Sequence, residues 1–346
     1  MKSENYKLAV VIPCWNCSKV VKPMLESIIN QTYHDWRLFC VDDQSTDDTS
    51  DLLKEYTRKD NRIFTITRNR QPKGAQTCRN IGFEQSIGAE YIIWFDSDDL
   101  IAPYCFEQRV AFMDKHPELD FGVFYAKSFK EDLWKSEGET LFGYKYHKTS
   151  DLCRFLRRTL PFVGWTNIYR RSSLVEKGLS WDEKLLSLQD SDFNIQSILT
   201  GLKYDYDQSG RIDYFWKVNP SSGSITSKIS SIEHQDSHLY LLSKIYNSLS
   251  SHQKREYQKE IDDYILFFLD KFAKNKDFLM KILKLDFVAC RFWLRLRIRA
   301  YHILGRRSKT ILFPIIFIYR FFYDRDVSRF NNQQLKSLIR LQCEQN

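Results

Sequence analysis

The N-terminal part of the sequence alternates between short apolar runs and longer segments with helical spacing, and this alternation limits the fold most. Apolar, β-branched runs predict four strands at residues 7–12, 36–41, 62–67 and 90–95. Apolar side chains recur at helical intervals in the intervening segments 18–31, 46–58 and 75–86. Strands and helices that alternate at this interval predict an α/β fold with a mostly parallel, Rossmann-like sheet.

Polar clusters follow three of these predicted strands. PCWN (13–16) follows the first strand, DDQST (42–46) the second and DSDD (96–99) the fourth. Because ligands bind at the carboxyl ends of parallel strands, we expect the three clusters to share one edge of the sheet. Asp96 and Asp98 offer hard oxygen ligands to Mg²⁺ or Mn²⁺ bridging a diphosphate, and Trp15 offers a flat face for a base.

The pair Cys14 and Cys17 has the C-x-x-C spacing of a redox pair or of half a zinc site. No second C-x-x-C and no H-x-x-x-H pair follows in an arrangement that would complete a four-ligand zinc site. A redox pair would open a helix, and Ser18 is a better helix start than Cys17. We therefore interpret both cysteines as small apolar side chains beside a strand end.

Four polar or mixed stretches follow one another along the chain: VVIPCWN, VDDQSTDDT, GAQTCRNIGFEQSIGAEYIIWFDSDDLIAP and SLQDSDFNIQSILTG. Together they resemble the family 2 inverting glycosyltransferases of GT-A fold, whose motifs occur in the same order. Each motif alone is a weak signal, whereas their number and order are specific. The resemblance implies a GT-A domain at residues 1–228, with a nucleotide-sugar part at about 1–120 and an acceptor part at about 121–228. A helical, basic and aromatic region follows at 229–346.

The resemblance also assigns roles to residues at the sheet edge. Trp15 would stack on uracil, Asp43 would hydrogen-bond the base, and Arg79 would contact base, ribose or phosphate. Asp96 and Asp98 match the first and last acids of the D-x-D motif, and Asp98 matches the metal ligand. The implied nucleotide-binding residues are Pro13, Trp15, Asn16, Asp43, Arg79 and Asp96, and the implied ligands of Mn²⁺ or Mg²⁺ are Asp98 and Asp96.

Asp190 is the candidate general base. Inverting transfer is a single in-line displacement, so one carboxylate must remove the proton of the acceptor hydroxyl. Asp190 matches the second residue of the E-D motif at a helix start, and Gln189 departs from the usual Glu at the first position. Asp192 is the rival candidate. Trp165 could be either a sugar platform or a core residue.

The predicted activity is transfer of a sugar from a nucleotide sugar, UDP-linked in our interpretation, to a hydroxyl of a lipid-linked or growing glycan. Two other classes stay open. A nucleotidyltransferase would require a glycine-rich phosphate loop after the first strand, and residues 13–18 contain no glycine. A catalytically inactive nucleotide-sugar-binding module at the membrane would not need Asp43, Asp96, Asp98 and Asp190, all of which are present.

Basic residues concentrate near the C-terminus. Residues 271–325 contain fourteen Lys or Arg against three Asp or Glu, whereas the whole chain has a net charge of +8. This distribution argues against nucleic-acid binding and for a localised anionic partner. Arg291, Arg295 and Arg299 share one face of a predicted helix rich in aromatic residues, which favours peripheral attachment to an anionic membrane. The alternative is a helical domain that packs on the catalytic core or on a second subunit.

The N-terminal sequence MKSENYKL lacks the layout of a signal peptide, and no apolar run of about 18 residues occurs. We therefore expect a cytoplasmic protein, with the inner face of the cytoplasmic membrane as its site of peripheral attachment.

Overall fold

A computed structural model describes residues 5–130, 140–147, 149–218, 231–272, 275–289, 294–295, 298–299 and 303. These residues form two compact units. The first contains the described residues up to Tyr146 and from Leu160 to Val218, and the second contains those from His147 to Thr159 and from Ser231 onward.

The strands of the first unit form two sheets. A seven-stranded sheet has the order β10-β6-β9-β4-β1-β2-β3, and a four-stranded sheet has the order β5-β11-β7-β8. The strands are β1 (Tyr6–Cys14), β2 (Trp36–Asp42), β3 (Ile63–Thr67), β4 (Ala89–Trp94), β5 (Leu100–Ile101), β6 (Phe121–Val123), β7 (Tyr125–Phe129), β8 (Leu141–Phe142), β9 (Asn167–Arg170), β10 (Tyr204–Tyr206) and β11 (Ile212–Lys217).

Twelve α-helices occur among the described residues. They are α1 (Val21–Ile29), α2 (Thr49–Lys59), α3 (Ala75–Gln85), α4 (Cys105–Lys115), α5 (Asp151–Leu156), α6 (Arg171–Glu176), α7 (Gln189–Leu199), α8 (Ile232–Ser248), α9 (Ser251–Glu256), α10 (Gln258–Phe272), α11 (Lys276–Leu283) and α12 (Asp286–Ala289), and a 3₁₀ turn covers Gly164–Thr166.

The predicted mostly parallel sheet is confirmed at its centre. β4, β1, β2 and β3 pair in parallel, while β9 runs antiparallel to both β4 and β6. Both faces of β1 are buried, as expected for a central parallel strand. On one face, Leu8, Val10 and Ile12 join a core cluster with the apolar stripe of α1. On the other face, α3 lies so close that a Cβ at Gly82 would fall 2.3 Å from a methyl carbon of Val11.

The second unit is helical in its described residues. Each of three helices begins at a side-chain cap: Ser231 for α8, Ser250 for α9 and Asn275 for α11. The sequence predicts one helix over 253–275, but the structure has a break at Tyr257 between α9 and α10. No helix in the described residues is long and apolar enough to cross a bilayer.

Helix α5 belongs to the second unit, although the predicted acceptor part at about 121–228 includes its residues. Arg157 donates to Oε1 of Glu260 at 2.6 Å, and the Arg158 guanidinium lies 3.6 Å from the centroid of the Phe267 ring. These contacts pack α5 on α10. The predicted boundary at residue 228 lies in the segment 219–230, outside the described residues, so it stays a prediction.

Candidate active site

The ends of three strands are aligned at one edge of the central sheet. The register pairs Cys14 with Asp42 and Asp42 with Thr67. The ladder continues past the strands, because the amide of Asp43 donates to the Cys14 carbonyl and the amide of Arg68 donates to the Asp42 carbonyl, both at 2.8 Å. The residues that follow these strands therefore lie side by side.

The turn after β1 is bound to the turn after β2. Asn16 has a left-handed backbone, with φ of 47°. Its Oδ1 accepts the amide of Thr46 at 2.8 Å, and its own amide donates to the Ser45 hydroxyl at 3.0 Å. Asn16 therefore has a structural role, because its hydrogen bonds hold the two turns together. Its predicted contact with a nucleotide stays a prediction.

Asp43 forms a buried ion pair with Arg68. The Nε of Arg68 donates to Oδ1 of Asp43, and the two side chains are 3% and 6% exposed. The guanidinium also donates to the carbonyl of Arg70 at 2.5 Å and to the side-chain oxygen of Gln44 at 3.2 Å. A buried carboxylate needs such a partner because desolvation of an unpaired charge is costly. Asp43 is thus held in one orientation.

Trp15 projects from the same edge and is 44% exposed. The ammonium of Lys73 lies 4.1 Å from the centroid of its ring, which is a cation–π distance. Pro13, the other predicted residue of this turn, lies within β1 opposite Val41 and is half-buried. Of these residues, Trp15 offers the aromatic surface on which a base could stack.

Cys14 and Cys17 are buried free thiols beside the strand end. Their mutual hydrogen bond lowers the pKa of Cys14, but the Cys40 thiol and burial outweigh it and raise that pKa well above the usual value. The same hydrogen bond and burial raise the pKa of Cys17. A raised pKa disfavours the reactive thiolate. The interpretation of these cysteines as small apolar side chains agrees with this geometry.

Arg79 connects the turn after β4 to the start of α7. Its Nη2 donates to Oδ1 of Asp96 at 2.7 Å, and its Nη1 donates to Oε1 of Gln189 at 3.2 Å. The guanidinium lies 4.5 Å from the centroid of the Trp181 ring. The side chain of Arg79 is 7% exposed and that of Asp96 is 33% exposed. The guanidinium of this ion pair is therefore buried against protein groups, whereas the Asp96 carboxylate is accessible to solvent.

Asp190 is the second residue of α7 and is partly exposed. Its Oδ1 accepts the amide of Gly164 at 3.3 Å, and a Cβ at position 164 would lie 2.6 Å from that oxygen. Burial raises the pKa of Asp190; Arg79 opposes the shift, and the negative charge of Asp96 adds to it. The helix N-terminus favours a carboxylate here. The rival Asp192 is 1% exposed and accepts a hydrogen bond from Gln196 at 3.4 Å.

Asp99, the third acid of the D-S-D-D turn, makes contacts typical of a structural residue. Asp99 is 1% exposed, and it accepts the Tyr214 hydroxyl at 2.6 Å and the Lys217 amide at 2.8 Å. Burial, Asp96 and Asp98 together raise its pKa well above the usual value. Asp99 therefore binds the turn to β11, while Asp96 and Asp98 are the partly exposed acids.

The described residues contain no group of three or more His, Cys, Asp or Glu side chains arranged to hold a metal ion. The predicted assignment of Asp98 and Asp96 as ligands of Mn²⁺ or Mg²⁺ stays a prediction. The resembling family has a loop that closes over the diphosphate, and YFWKVNPSSGSITSK (214–228) stands at that position in this sequence. From residue 219 onward this stretch lies outside the described residues.

Trp165 is 6% exposed and stacks on Tyr214, with ring centroids 4.6 Å apart and an angle of 8° between the planes. Of the two alternatives for this residue, the structure therefore supports the core position.

Sequence reasoning missed several residues that shape this edge: Arg68, Lys73, Gln76, Asn80 and Trp181. Arg68 directly follows β3, so the strand-end argument applied to the third strand would have found it. The Nδ2 of Asn80 donates to the carbonyl of Trp181, and the Oδ1 of Asn80 accepts the amide of Trp181, both at 2.9 Å. No local pattern indicates a contact between residues so far apart in the chain.

Residues 9–178 match the family model described as "Glycosyl transferase family 2". This domain belongs to glycosyl transferase family 2. The chain is also 37% identical over 215 residues to the poly(ribitol-phosphate) beta-glucosyltransferase of Bacillus spizizenii, a match that covers 61% of this chain and 32% of that protein. The chain thus spans about a third of the length of this curated relative.

Two solved structures share the fold of the family 2 domain. TarS 1–349 of S. aureus, in complex with UDP-GlcNAc, has a TM-score of 0.64 and 19% identity and covers 87% of this chain and 92% of its own. The mannosyltransferase PcManGT of Pyrobaculum calidifontis, in complex with GDP-Man and Mn²⁺, has a TM-score of 0.56 and 13% identity and covers 97% and 86%. The predicted family and the predicted α/β GT-A fold are confirmed.

Proposed function

We propose that the chain is an inverting glycosyltransferase that transfers a sugar from a UDP-linked donor to a hydroxyl of a glycan acceptor. One observation carries this proposal: Arg79 binds Asp96 at 2.7 Å and Gln189 at 3.2 Å, so the D-x-D turn lies beside the helix that carries Asp190. The exposed ring of Trp15 projects from the same edge of the sheet. A base platform, a diphosphate–metal turn and a carboxylate base are the groups that this reaction requires.

Asp190 acts as the base. Its carboxylate takes the proton of the acceptor hydroxyl while that oxygen attacks the anomeric carbon, and the bond from this carbon to the diphosphate breaks on the opposite side. The nucleoside diphosphate leaves with the bonding electrons. The raised pKa of Asp190 supports this role, because a base with a pKa closer to the working pH accepts a proton more readily.

The partly exposed carboxylates fit a divalent cation. Asp96 and Asp98 are hard oxygen ligands, and their negative charges raise the pKa of Asp99 beside them. We assign Mn²⁺ or Mg²⁺ to Asp98 and Asp96. When bound, the cation stabilises the charge that develops on the departing diphosphate.

The name of one relative supports the proposed class of acceptor. One relative is named for glucosyl transfer to poly(ribitol phosphate), and we infer that this chain acts on a hydroxyl of a growing or lipid-linked surface glycan. The intact set Asp43, Asp96, Asp98 and Asp190 supports an enzyme over an inactive binding module. The absence of glycine at residues 13–18 argues against a nucleotidyltransferase.

Nucleotide sugars tested for thermal stabilisation in the presence of Mn²⁺ would identify the donor. A ligand present at 100 times its Kd adds roughly 2.7 kcal/mol to the free energy of unfolding. We expect a UDP-sugar to raise the melting temperature and then to release UDP when a glycan acceptor is added. If no nucleotide sugar stabilises the protein, the proposed function is wrong.

The basic C-terminal segment attaches the enzyme to the cytoplasmic face of an anionic membrane in this proposal. The charge of residues 271–325 supports it, whereas Arg291 and most of that segment lie outside the described residues. Binding to anionic liposomes should then weaken as the salt concentration rises. Replacement of Arg291, Arg295 and Arg299 by Gln should reduce the free energy of this binding by about 1 kcal/mol per residue.

Co-sedimentation with neutral and anionic liposomes measures this binding. A wild type that ignores lipid charge, or a triple variant that unfolds, would instead assign the segment to a structural or oligomer-forming helical domain.

A further inference from the structure

Gln189 stands where the resembling family usually has Glu, and its surroundings are those of an amide. Its Nε2 donates to Oε1 of Gln76 at 2.7 Å and to the carbonyl of Leu185 at 3.0 Å. Its Oε1 accepts Nη1 of Arg79 at 3.2 Å. Gln189 is 7% exposed and Gln76 is 1% exposed, so protein groups take the place of water around both.

Fixed groups set the direction of these hydrogen bonds. A backbone carbonyl only accepts and a guanidinium only donates, so Leu185 and Arg79 determine which end of the Gln189 amide is nitrogen. The Nε2 of Gln76 donates to the carbonyl of Glu183 at 3.3 Å, which leaves its Oε1 for Gln189. Gly74, with φ of 143°, lets Gln76 adopt this position, because a Cβ there would lie 2.5 Å from that Oε1.

A carboxylate at position 189 would conflict with this chain of hydrogen bonds. The oxygen that replaces Nε2 would face both the Leu185 carbonyl and the Gln76 oxygen with no hydrogen to donate. It would also compete with Asp96 for Arg79, because a second carboxylate attracts the guanidinium as a charge and not only as a hydrogen-bond acceptor.

We propose that Gln189 is a positioning residue whose uncharged amide directs Arg79 to Asp96 and leaves the positive charge of Arg79 available to the donor diphosphate. This inference rests on the proposed function, since the diphosphate belongs to the nucleotide-sugar donor. Gln189 acts through Arg79 and contacts no substrate in this account.

Two variants separate the charge of residue 189 from its hydrogen bonds. Gln189→Glu adds a negative charge, and we expect UDP affinity in the presence of Mn²⁺ to fall at least about tenfold, because charge interactions in a partly buried site are weakly screened. Gln189→Leu keeps the site neutral but leaves Arg79 without this acceptor. We expect its UDP affinity to stay within about threefold of wild type while kcat falls about tenfold through misplacement of Arg79.

Calorimetry with UDP and steady-state kinetics measure these two effects, and melting temperatures report the folding of each variant. Gln85→Glu is the matched control, because Gln85 is exposed on the same helix as Arg79 and gains the same charge. This control should bind UDP as the wild type does.

The expected pattern, in which Gln189→Glu loses UDP affinity and Gln189→Leu loses mainly kcat, would support the positioning role. Wild-type UDP affinity and turnover in Gln189→Glu would overturn it, and so would equal UDP affinities for folded Gln189→Glu and Gln189→Leu. If the wild type binds UDP but transfers no sugar, the proposed function fails and the ratio of UDP affinities still decides the role of Gln189.

Discussion

The proposed base subsite and the proposed reaction subsite lie at the same edge of the sheet but differ in how their charges are balanced. We define the base subsite as Trp15, Asn16, Asp43 and Arg68. Its carboxylate, Asp43, faces one buried guanidinium, and Asn16 is bound to the neighbouring turn. Protein groups hold the Asp43 carboxylate, the Arg68 guanidinium and the Asn16 side chain in place. The base subsite is therefore formed before a ligand binds.

The reaction subsite is defined as Arg79, Asp96, Asp98, Gln189 and Asp190. Its carboxylates are close enough to affect the pKa values of their neighbours. The charge of Asp96 contributes to the raised pKa of Asp190, and Asp96 and Asp98 both raise the pKa of the adjacent Asp99. Such clusters of perturbed acids are typical of catalytic sites. The base subsite is therefore organised for fit, whereas the reaction subsite keeps an excess of negative charge that a cation can balance.

The largest expected effect is on the chemistry of the reaction subsite. Asp190→Asn should lower the rate of sugar transfer by about 10² to 10⁴, because a neutral amide cannot take the hydroxyl proton. Donor affinity should stay close to that of the wild type. Turnover and UDP affinity, measured on the same preparation, test this separation.

Asp192→Asn is the matched control for this change. We expect its turnover to stay near that of the wild type, because Asp192 is buried within α7. A slow Asp192→Asn variant together with an active Asp190→Asn variant would reverse the two assignments.

Sequence reasoning was most successful where the chain order determines geometry. Because parallel strands end at one edge, the positions of Trp15, Asp43, Asp96 and Asp98 at a common edge follow from local patterns alone. The partners of these residues do not: Gln76 and Gln189 form a hydrogen bond although 113 positions separate them, and only the tertiary structure brings the start of α7 to α3. The pairing of Asp43 with Arg68 likewise depends on burial, which a turn motif does not indicate.

The next effect tests the stability of the base subsite. Arg68→Met would leave the buried Asp43 carboxylate without its guanidinium, and removal of one partner from a buried pair costs about 3–5 kcal/mol. Chemical denaturation measures this loss. Lys59→Met is the matched control, since Lys59 and Glu55 are 58% and 53% exposed and such surface pairs contribute about 0–1 kcal/mol. Equal losses in the two variants would refute a preformed base subsite.

A smaller effect concerns the excess negative charge of the reaction subsite. Asp98→Ala removes the carboxylate assigned to the cation, and we expect the increase in UDP affinity produced by Mn²⁺ to disappear. Calorimetry with and without Mn²⁺ measures this increase. Asp51→Ala is the control, because Asp51 is 84% exposed on α2. A variant at position 98 that keeps the full Mn²⁺ effect would place the metal elsewhere.

The smallest effect is a gain in stability from the same change that removes the base. Burial raises the pKa of Asp190 in the folded protein above its ordinary value, against the opposing charge of Arg79. An acid whose pKa is higher in the folded state destabilises the fold when it is ionised, and this cost disappears once the pH is low enough to protonate it in both states.

Asp190→Asn should therefore melt at a higher temperature than the wild type at neutral pH. The difference should shrink as the pH falls toward about 4, the usual range of an aspartate carboxyl. Melting curves across this range, with Asp51→Asn as an exposed control, measure the difference. An Asp190→Asn variant that is less stable than the wild type at neutral pH would show that the Asp190 carboxylate stabilises the fold and would remove the contrast with Asp43.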